Sequence, residues 1–347
     1  MSASAITNKY SLAAKKAWET IRKKRLEKIK AEYASIEDFF NFNMNIVMMG
    51  NYHISYPLVR KSKLAPKEKG GIGKDLSEGW AINFAVGCTH ACIFCYADII
   101  HKRVYSNKLG FSGIPWGFYF FKPENIDDAI EKTNWYRWKG KEVLMSSTHD
   151  PYLPQLYPIP RKILEHALPA GVKFCIQTRS TLVLKDLDLL SKYKNQIRLQ
   201  VSIATMDENF RRKIEPRVSP TKARLRIIQE AKKYGIDVGV IIAPIFPPVK
   251  LRPNLYEDLE NIITALSEIK PDHIFGEMLH ARGSNLTMIE AIIGETLTWK
   301  DIIKWDLKIE KMFYKLLSKY NLHGIYWREH YSKFNKQLSL KIESYLE

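Results

Sequence analysis

The sequence predicts an α/β chain folded as a partial (β/α)6 barrel of the TIM type, with a basic helical extension before it and a helical region after it. Three observations predict this. Short apolar runs of strand length alternate with amphipathic stretches of helix length between residues 80 and 285, the pattern of parallel β/α units. Six such strands can be counted, fewer than the eight of a closed barrel. Cysteines cluster directly after the first strand, and the loops that follow barrel strands are where barrel enzymes place their chemistry. Residues 1–79 are the expected extension, 80–285 the barrel core and 286–347 the helical C-terminal region.

Residues 9 to 30 hold nine Lys or Arg against Glu19 and Glu27, which accounts for seven of the chain's seventeen net positive charges. Within this segment and just beyond it, Trp18, Ile21, Arg22, Arg25, Leu26, Ile29 and Tyr33 fall at helical spacing, which predicts an amphipathic basic helix. Such a helix suits a nucleic-acid backbone; docking on a protein partner and a merely solvated face are the other uses of the same pattern. The stretch 60–79 is polar and Gly-rich and predicts a loop.

Trp80 to Val86 reads as a buried strand, and Gly87 permits a sharp turn before Cys88. Then follow Cys88, Cys92 and Cys95 in C-x3-C-x2-C spacing, three of only four cysteines. Three thiolates cannot close a tetrahedral zinc site, and on a cubane [4Fe–4S] cluster they leave one iron without a protein ligand. A zinc site with a distant fourth ligand and three unrelated cysteines are the alternatives.

Further along, Cys95 to Arg103 predicts a helix, Phe118 to Phe121 a short strand and Glu124 to Thr133 a helix. Val143–Ser147, Val172–Thr178, Ile197–Thr205, Asp237–Ile245 and His273–Leu279 are the remaining barrel strands. Helices are expected near Arg161–Leu168, Lys185–Lys194, Thr221–Tyr234 and Tyr256–Ile269. The strand faces are unusual. Gln200, Ser202 and Ala204 share one face of their strand, and Lys173, Cys175, Gln177 and Arg179 share one face of theirs. A closed barrel fills its lumen with large aliphatics. If these small and polar faces point inward, the lumen holds a polar ligand.

Composition sets the bounds. The chain has 347 residues, 46% hydrophobic and 26% charged, as in an ordinary globular protein. A net charge of +17 favours polyanionic partners. No apolar run is long enough to span a bilayer and no signal-peptide core is seen, so no membrane partner is expected. Unpaired thiols and an oxygen-sensitive cluster point to reducing cytoplasm.

The cysteine spacing, with Phe94 just before the third cysteine, resembles the signature of the radical S-adenosylmethionine (SAM) superfamily. Further blocks narrow the likeness: Gly87 through Ala97; Ser147-Thr148-His149-Asp150-Pro151-Tyr152; Thr178-Arg179-Ser180; Val201 through Thr205 with Glu215-Pro216-Arg217; and Val238 through Ile245. In this order they resemble the spore photoproduct lyase-like branch, over residues 80–280. The resemblance implies a partial barrel of the radical SAM kind and a [4Fe–4S] cluster on Cys88, Cys92 and Cys95. It also implies SAM chelated to the open iron, an external electron donor, and cleavage to a 5′-deoxyadenosyl radical that abstracts hydrogen from a substrate.

By the same resemblance Tyr96 packs near the adenosyl group, and Ser147 and Thr148 hold the methionine amino group. Arg179 stands where the family usually has lysine, Ser202 meets the SAM carboxylate or ribose, and Ala243 admits adenine. Arg212 is a further carboxylate partner, since arginine offers a bidentate fork. One departure matters. The family's hydrogen-donating cysteine falls in a block that here reads Ser146-Ser147-Thr148, and a serine O–H bond is too strong to serve. Cys175 is the only spare thiol and hence the candidate hydrogen donor. A radical reaction on DNA or RNA is the leading expectation, with a protein, peptide or small molecule, or a non-catalytic metal-binding module, as alternatives.

Overall fold

The computed structural model describes residues 48–62, 77–280 and 285–328. The expected basic helix, most of the 60–79 loop and residues 329–347 lie outside the described residues. The six expected barrel strands are all present: β3 (Trp80–Ile82), β5 (Glu142–Met145), β6 (Lys173–Thr178), β7 (Ile197–Ile203), β8 (Asp237–Ile245) and β9 (His273–Met278). They pair in parallel in that order. Two further strands extend the sheet. β10 (Ile325–Trp327) adds in parallel to β9, and β2 (Val59–Lys61) adds antiparallel to β3. The sheet stays open, with β2 and β10 as its edges.

Two expectations are corrected here. Arg60 and Lys61 belong to β2 rather than to a loop, because β3 offers them a free ladder edge. The strand expected at Phe118–Phe121 exists as β4 (Tyr119–Pro123) but leaves the barrel and pairs with β1 (Met48–Tyr52).

Helices return the chain between strands. α1 (Ala97–Leu109) follows the cysteine loop and stops at Gly110, whose φ of +73° closes it. α2 (Ile126–Glu131) and α3 (Ile159–Ala167) precede β5 and β6. The helix expected at Lys185–Lys194 is divided into a 3-10 segment at Thr181–Asp186 and α4 (Leu187–Lys192). Asp186 sits at the junction, fully buried, and accepts hydrogen bonds from Tyr152 (3.0 Å), Tyr157 (3.2 Å) and Arg161 (3.2 Å).

α5 (Glu208–Ile214) is started by the Asp207 carboxylate, which accepts from the backbone of Asn209 and Phe210. α6 (Thr221–Lys233) packs on β7 and β8, and α7 (Leu255–Ile269) follows. α8 (Asn285–Ile293) and α9 (Trp299–Lys319) lie in the region expected to be helical, which also contributes strand β10. Among the described residues, no helix is long and apolar enough to cross a membrane.

The two sheet faces differ as the sequence pattern anticipates. Phe174, Ile176, Leu199, Val201, Ile203, Val238, Val240 and Ile242 belong to one large core shared with the helices. Each such side chain contributes roughly 1.5–3 kcal/mol through burial. The opposite, inner face carries two small apolar groups: Ala81, Leu144 and Cys175 on one side, and Ile241, Ala243, Phe275 and Trp327 on the other. Between them lie Gln177, Gln200 and Ser202, the last two fully buried. Gln177 Nε2 donates to Ser202 Oγ at 3.3 Å. The Gln200 carboxamide lies over Gly239, where a Cβ would fall 2.3 Å from its Oε1. The inner face is polar at its centre.

Candidate active site

The cysteine loop sits at the carboxyl end of β3 and is held from every side by backbone and small residues. Val86 exchanges two hydrogen bonds with Phe121 of β4 (3.0 and 2.8 Å). Gly87 has φ +91°, and a Cβ there would lie 2.2 Å from the Tyr119 carbonyl oxygen, so no other residue fits. Gly117 is pressed against the loop in the same way, with its missing Cβ 2.3 Å from Ala91 Cβ. The Gly87 N–H donates to His101 Nδ1 at 2.6 Å. An accepting ring nitrogen requires neutral imidazole, and burial pushes His101 down to about 3, so it stays neutral.

More distant elements also grip the loop. The Ile93 N–H donates to the Ile214 carbonyl at the end of α5, and Asn285 at the start of α8 donates to the Phe94 carbonyl. Thr89 Oγ1 donates to Gln155, and Arg217 Nη1 donates to the Thr89 and Gly117 carbonyls.

Within this frame Cys88 and Cys92 are buried and Cys95 is half-buried. Burial pushes the thiols of Cys88 and Cys95 up to about 12, and Cys92 rises as well. After burial, the next cause of the rise at Cys88 is Cys95 and at Cys95 is Cys92, while Arg179 opposes the rise at Cys92. The thiols are therefore neutral until a metal displaces their protons. Among the described residues no three His, Cys, Asp or Glu side chains already converge to hold a metal ion, but the donor chemistry suits a [4Fe–4S] cluster. Three soft donors lie on one loop within electrostatic reach of the guanidiniums of Arg179, Arg224 and Arg217, and two N–H groups of Arg217 lie buried without a partner among the described residues.

The ends of β5 and β6 complete the mouth. Asn83, just past β3, accepts from the Ser147 backbone N–H (2.9 Å) and from Ser146 Oγ (3.1 Å), and its amide donates to Ser147 Oγ (3.1 Å). Ser146 adopts φ +64°, a left-handed conformation uncommon outside glycine. Tyr96 Oη donates to the Ser147 carbonyl at 2.5 Å, which joins the cysteine loop to the β5 end. Thr148 is half-exposed beside it.

Asp150 is the next hub. It accepts from Thr178 Oγ1 (2.7 Å), the Arg179 N–H (2.7 Å) and the Tyr152 N–H (2.9 Å), and its carboxylate lies 3.4 Å from His90 in the cysteine loop. Arg179 then spans the mouth. Its Nε pairs with Glu215 at 2.9 Å, its Nη2 donates to the Ala243 carbonyl at 3.0 Å, and its head lies 5.5 Å from the Phe94 ring centre. Glu215 is fully buried and also meets Arg224 Nη2 at 2.6 Å. Burial alone would raise this carboxyl, but Arg224 and Arg179 together hold it below the usual carboxylate range.

Of the residues expected at the site, Tyr96, Ser147, Thr148 and Arg179 share the mouth with the cysteine loop, while Ser202 and Ala243 line the inner face beside it. Arg212 does not join them. It is exposed on α5, whose buried positions are Phe210, Arg211 and Ile214, because a helix this short shows its remaining side to solvent. Cys175 lies four positions before Arg179 on β6, roughly 13 Å below it at strand rise. It is enclosed by Ala81 and Leu144 and pushed up to about 12 by burial. The structure gives it a packing role. Asn83, Asp150, Glu215 and Arg224 are the hubs that sequence reasoning missed.

Comparison with known proteins agrees with this architecture. Residues 82–259, more than half of the chain, match the profile of the radical SAM superfamily. The chain is 58% identical over 295 residues to the uncharacterized protein ORF301 of Acidianus two-tailed virus, covering 84% of this chain and 97% of that one. It is 29% identical over 209 residues to an uncharacterized protein of Methanocaldococcus jannaschii, covering 59% of this chain and 72% of that one. Among solved structures, a spore photoproduct lyase variant with dinucleoside spore photoproduct superposes with a TM-score of 0.57, at 15% identity and 81% coverage of both chains. Another variant, with bound AdoMet and the same dinucleoside, gives 0.56 at 16% identity and the same coverage. The fold, the cysteine loop and the profile match together make this chain a member of the radical SAM superfamily.

Proposed function

We propose that this protein is a radical SAM enzyme whose substrate is a nucleic acid. The observation that carries the chemistry is the tightly held cysteine loop opening on a polar inner face. When bound, a [4Fe–4S] cluster and SAM supply one-electron cleavage of the sulfonium and a carbon radical able to abstract hydrogen.

The chain's own residues have separable tasks in this reading. Cys88, Cys92 and Cys95 hold the cluster. Ser147 and Thr148 receive the methionine amino group, and the Asn83 bonds fix Ser147 before any ligand arrives. Arg179 and Ser202 meet the carboxylate and ribose; Arg179 is braced by Glu215, so little rotamer freedom is lost on binding. Ala243 leaves room for adenine against β8. Phe94 and Tyr96 cover the site from the cysteine loop and limit water.

The substrate class rests on charge. A net +17, with its densest segment at residues 9–30, favours phosphate backbones. A spore photoproduct lyase variant of similar fold holds a dinucleoside spore photoproduct, which supports this reading of the substrate class. Repair of that lesion is not the proposal, because the Ser146-Ser147-Thr148 turn has no thiol and Cys175 is enclosed by packing.

Anaerobic turnover with and without single- and double-stranded oligonucleotides tests the reading. An oligonucleotide substrate should bind in a salt-sensitive way and accelerate 5′-deoxyadenosine release. Binding of neither form at low salt would transfer the chemistry to a protein, peptide or small molecule.

A further inference from the structure

We propose that Arg217 hydrogen-bonds the iron–sulfur cluster and raises its reduction potential. The inference rests on the reading of Cys88, Cys92 and Cys95 as the cluster site. Arg217 lies after α5, in a sequence rich in Arg and Lys that includes Arg211, Arg212 and Lys213. The structure turns it inward. Its Nη1 donates to the Gly117 carbonyl at 2.7 Å and to the carbonyl of Thr89, the residue after Cys88, at 3.3 Å. Its guanidinium carbon sits 5.1 Å from the Phe118 ring centre. Gly117 touches Ala91 on the same wall of the loop, so the arginine head is fixed against the cysteine loop itself.

Two donors remain. Nε and Nη2 are shielded from water and have no acceptor among the described residues. A buried donor left unmade is costly, and more so when it is charged, so native structures rarely keep one without a reason. The acceptor that fits is anionic, soft and adjacent to Cys88, the residue whose thiol interacts electrostatically with this guanidinium. Three thiolates and cluster sulfides meet all three conditions. Adding an electron makes that assembly more negative, so a fixed neighbouring cation stabilises the reduced form more than the oxidised form. Hydrogen bonds to cluster sulfur act in the same direction.

The test is a redox titration of the anaerobically reconstituted full chain, followed by EPR, for the parent and for Arg217→Met, Arg217→Gln and Arg217→Lys. Both neutral variants should titrate lower than the parent by a factor of about ten in the reduction equilibrium, or roughly 59 mV for one electron. Arg217→Lys should recover much of that loss. Arg217→Gln keeps a donor for the Gly117 carbonyl, so it carries the test if Arg217→Met takes up no iron. A neutral variant with a full cluster at the parental potential would overturn the proposal and leave Arg217 as a brace for the loop. A parent that assembles no four-iron cluster would instead overturn the reading of the cysteines.

Discussion

The Arg179 guanidinium and the buried Glu215 carboxylate lie 2.9 Å apart, and Arg224 approaches the same carboxylate at 2.6 Å from the other side. One acid thereby fixes two cations, one just past the end of β6 and one on α6, beside the mouth of the site. Arg224 also donates to the Ser202 carbonyl at 2.7 Å, so the pair reaches the strand that carries the proposed ribose or carboxylate contact.

Glu215→Gln leaves both guanidiniums without their counter-charge and should destabilise the protein by about 3–5 kcal/mol. Urea denaturation of the cluster-free chain measures it. The pH dependence follows from the sign of the shift. The folded carboxyl titrates below its unfolded counterpart, so its contribution is complete above the ordinary glutamate range and disappears as pH falls through the folded value. The parent should lose stability in acid more steeply than Glu215→Gln. Equal acid slopes would remove Glu215 from its place as the hub.

Any one of Cys88→Ala, Cys92→Ala and Cys95→Ala should abolish the cluster, because two thiolates do not hold the cube securely. Iron analysis and EPR of the reduced protein measure this. A full cluster in the triple variant, or stoichiometric zinc after anaerobic purification, would contradict it.

Arg179→Ala and Ser202→Ala should each weaken SAM binding by roughly tenfold, equivalent to about 1.4 kcal/mol, while leaving the cluster spectrum intact. Equilibrium dialysis against labelled SAM measures both. Parental affinity in both variants would place the SAM pocket elsewhere.

Much of the barrel was legible because its strands are uniform apolar runs bounded by turns. Val172–Thr178, Ile197–Thr205 and Asp237–Ile245 each overlap the observed strand closely. β1, β2 and β10 escaped notice because three to five residues carry no usable period. Pairing is also invisible to periodicity: nothing local says that Tyr119–Pro123 pairs with Met48–Tyr52 rather than with the barrel. At the site, cysteine spacing is a one-dimensional signal and survived intact. Asn83 and Asp150 act on partners 64 and 28 residues further along the chain, so sequence places Asn83 in a buried strand and Asp150 in a family block without showing what either holds. Arg212 and Cys175 stand out by residue type alone; in the fold Arg212 is exposed and Cys175 is packed with Ala81 and Leu144, neither of which sequence shows.

Removing residues 1–34 should flatten the dependence of oligonucleotide affinity on log salt and weaken binding to many sequences alike, because fewer phosphates are then neutralised and fewer counterions released. Cleavage of SAM without substrate should survive, because the cysteine loop lies outside the deletion. Titration of labelled oligonucleotides across a salt series measures the slope. An unchanged slope would assign the basic segment to a protein partner.

The most direct measurement is SAM cleavage by the anaerobically reconstituted protein under dithionite. The account predicts slow formation of 5′-deoxyadenosine and methionine even without substrate, with both products absent in Cys88→Ala. A protein carrying four irons that binds SAM yet releases neither product would contradict it.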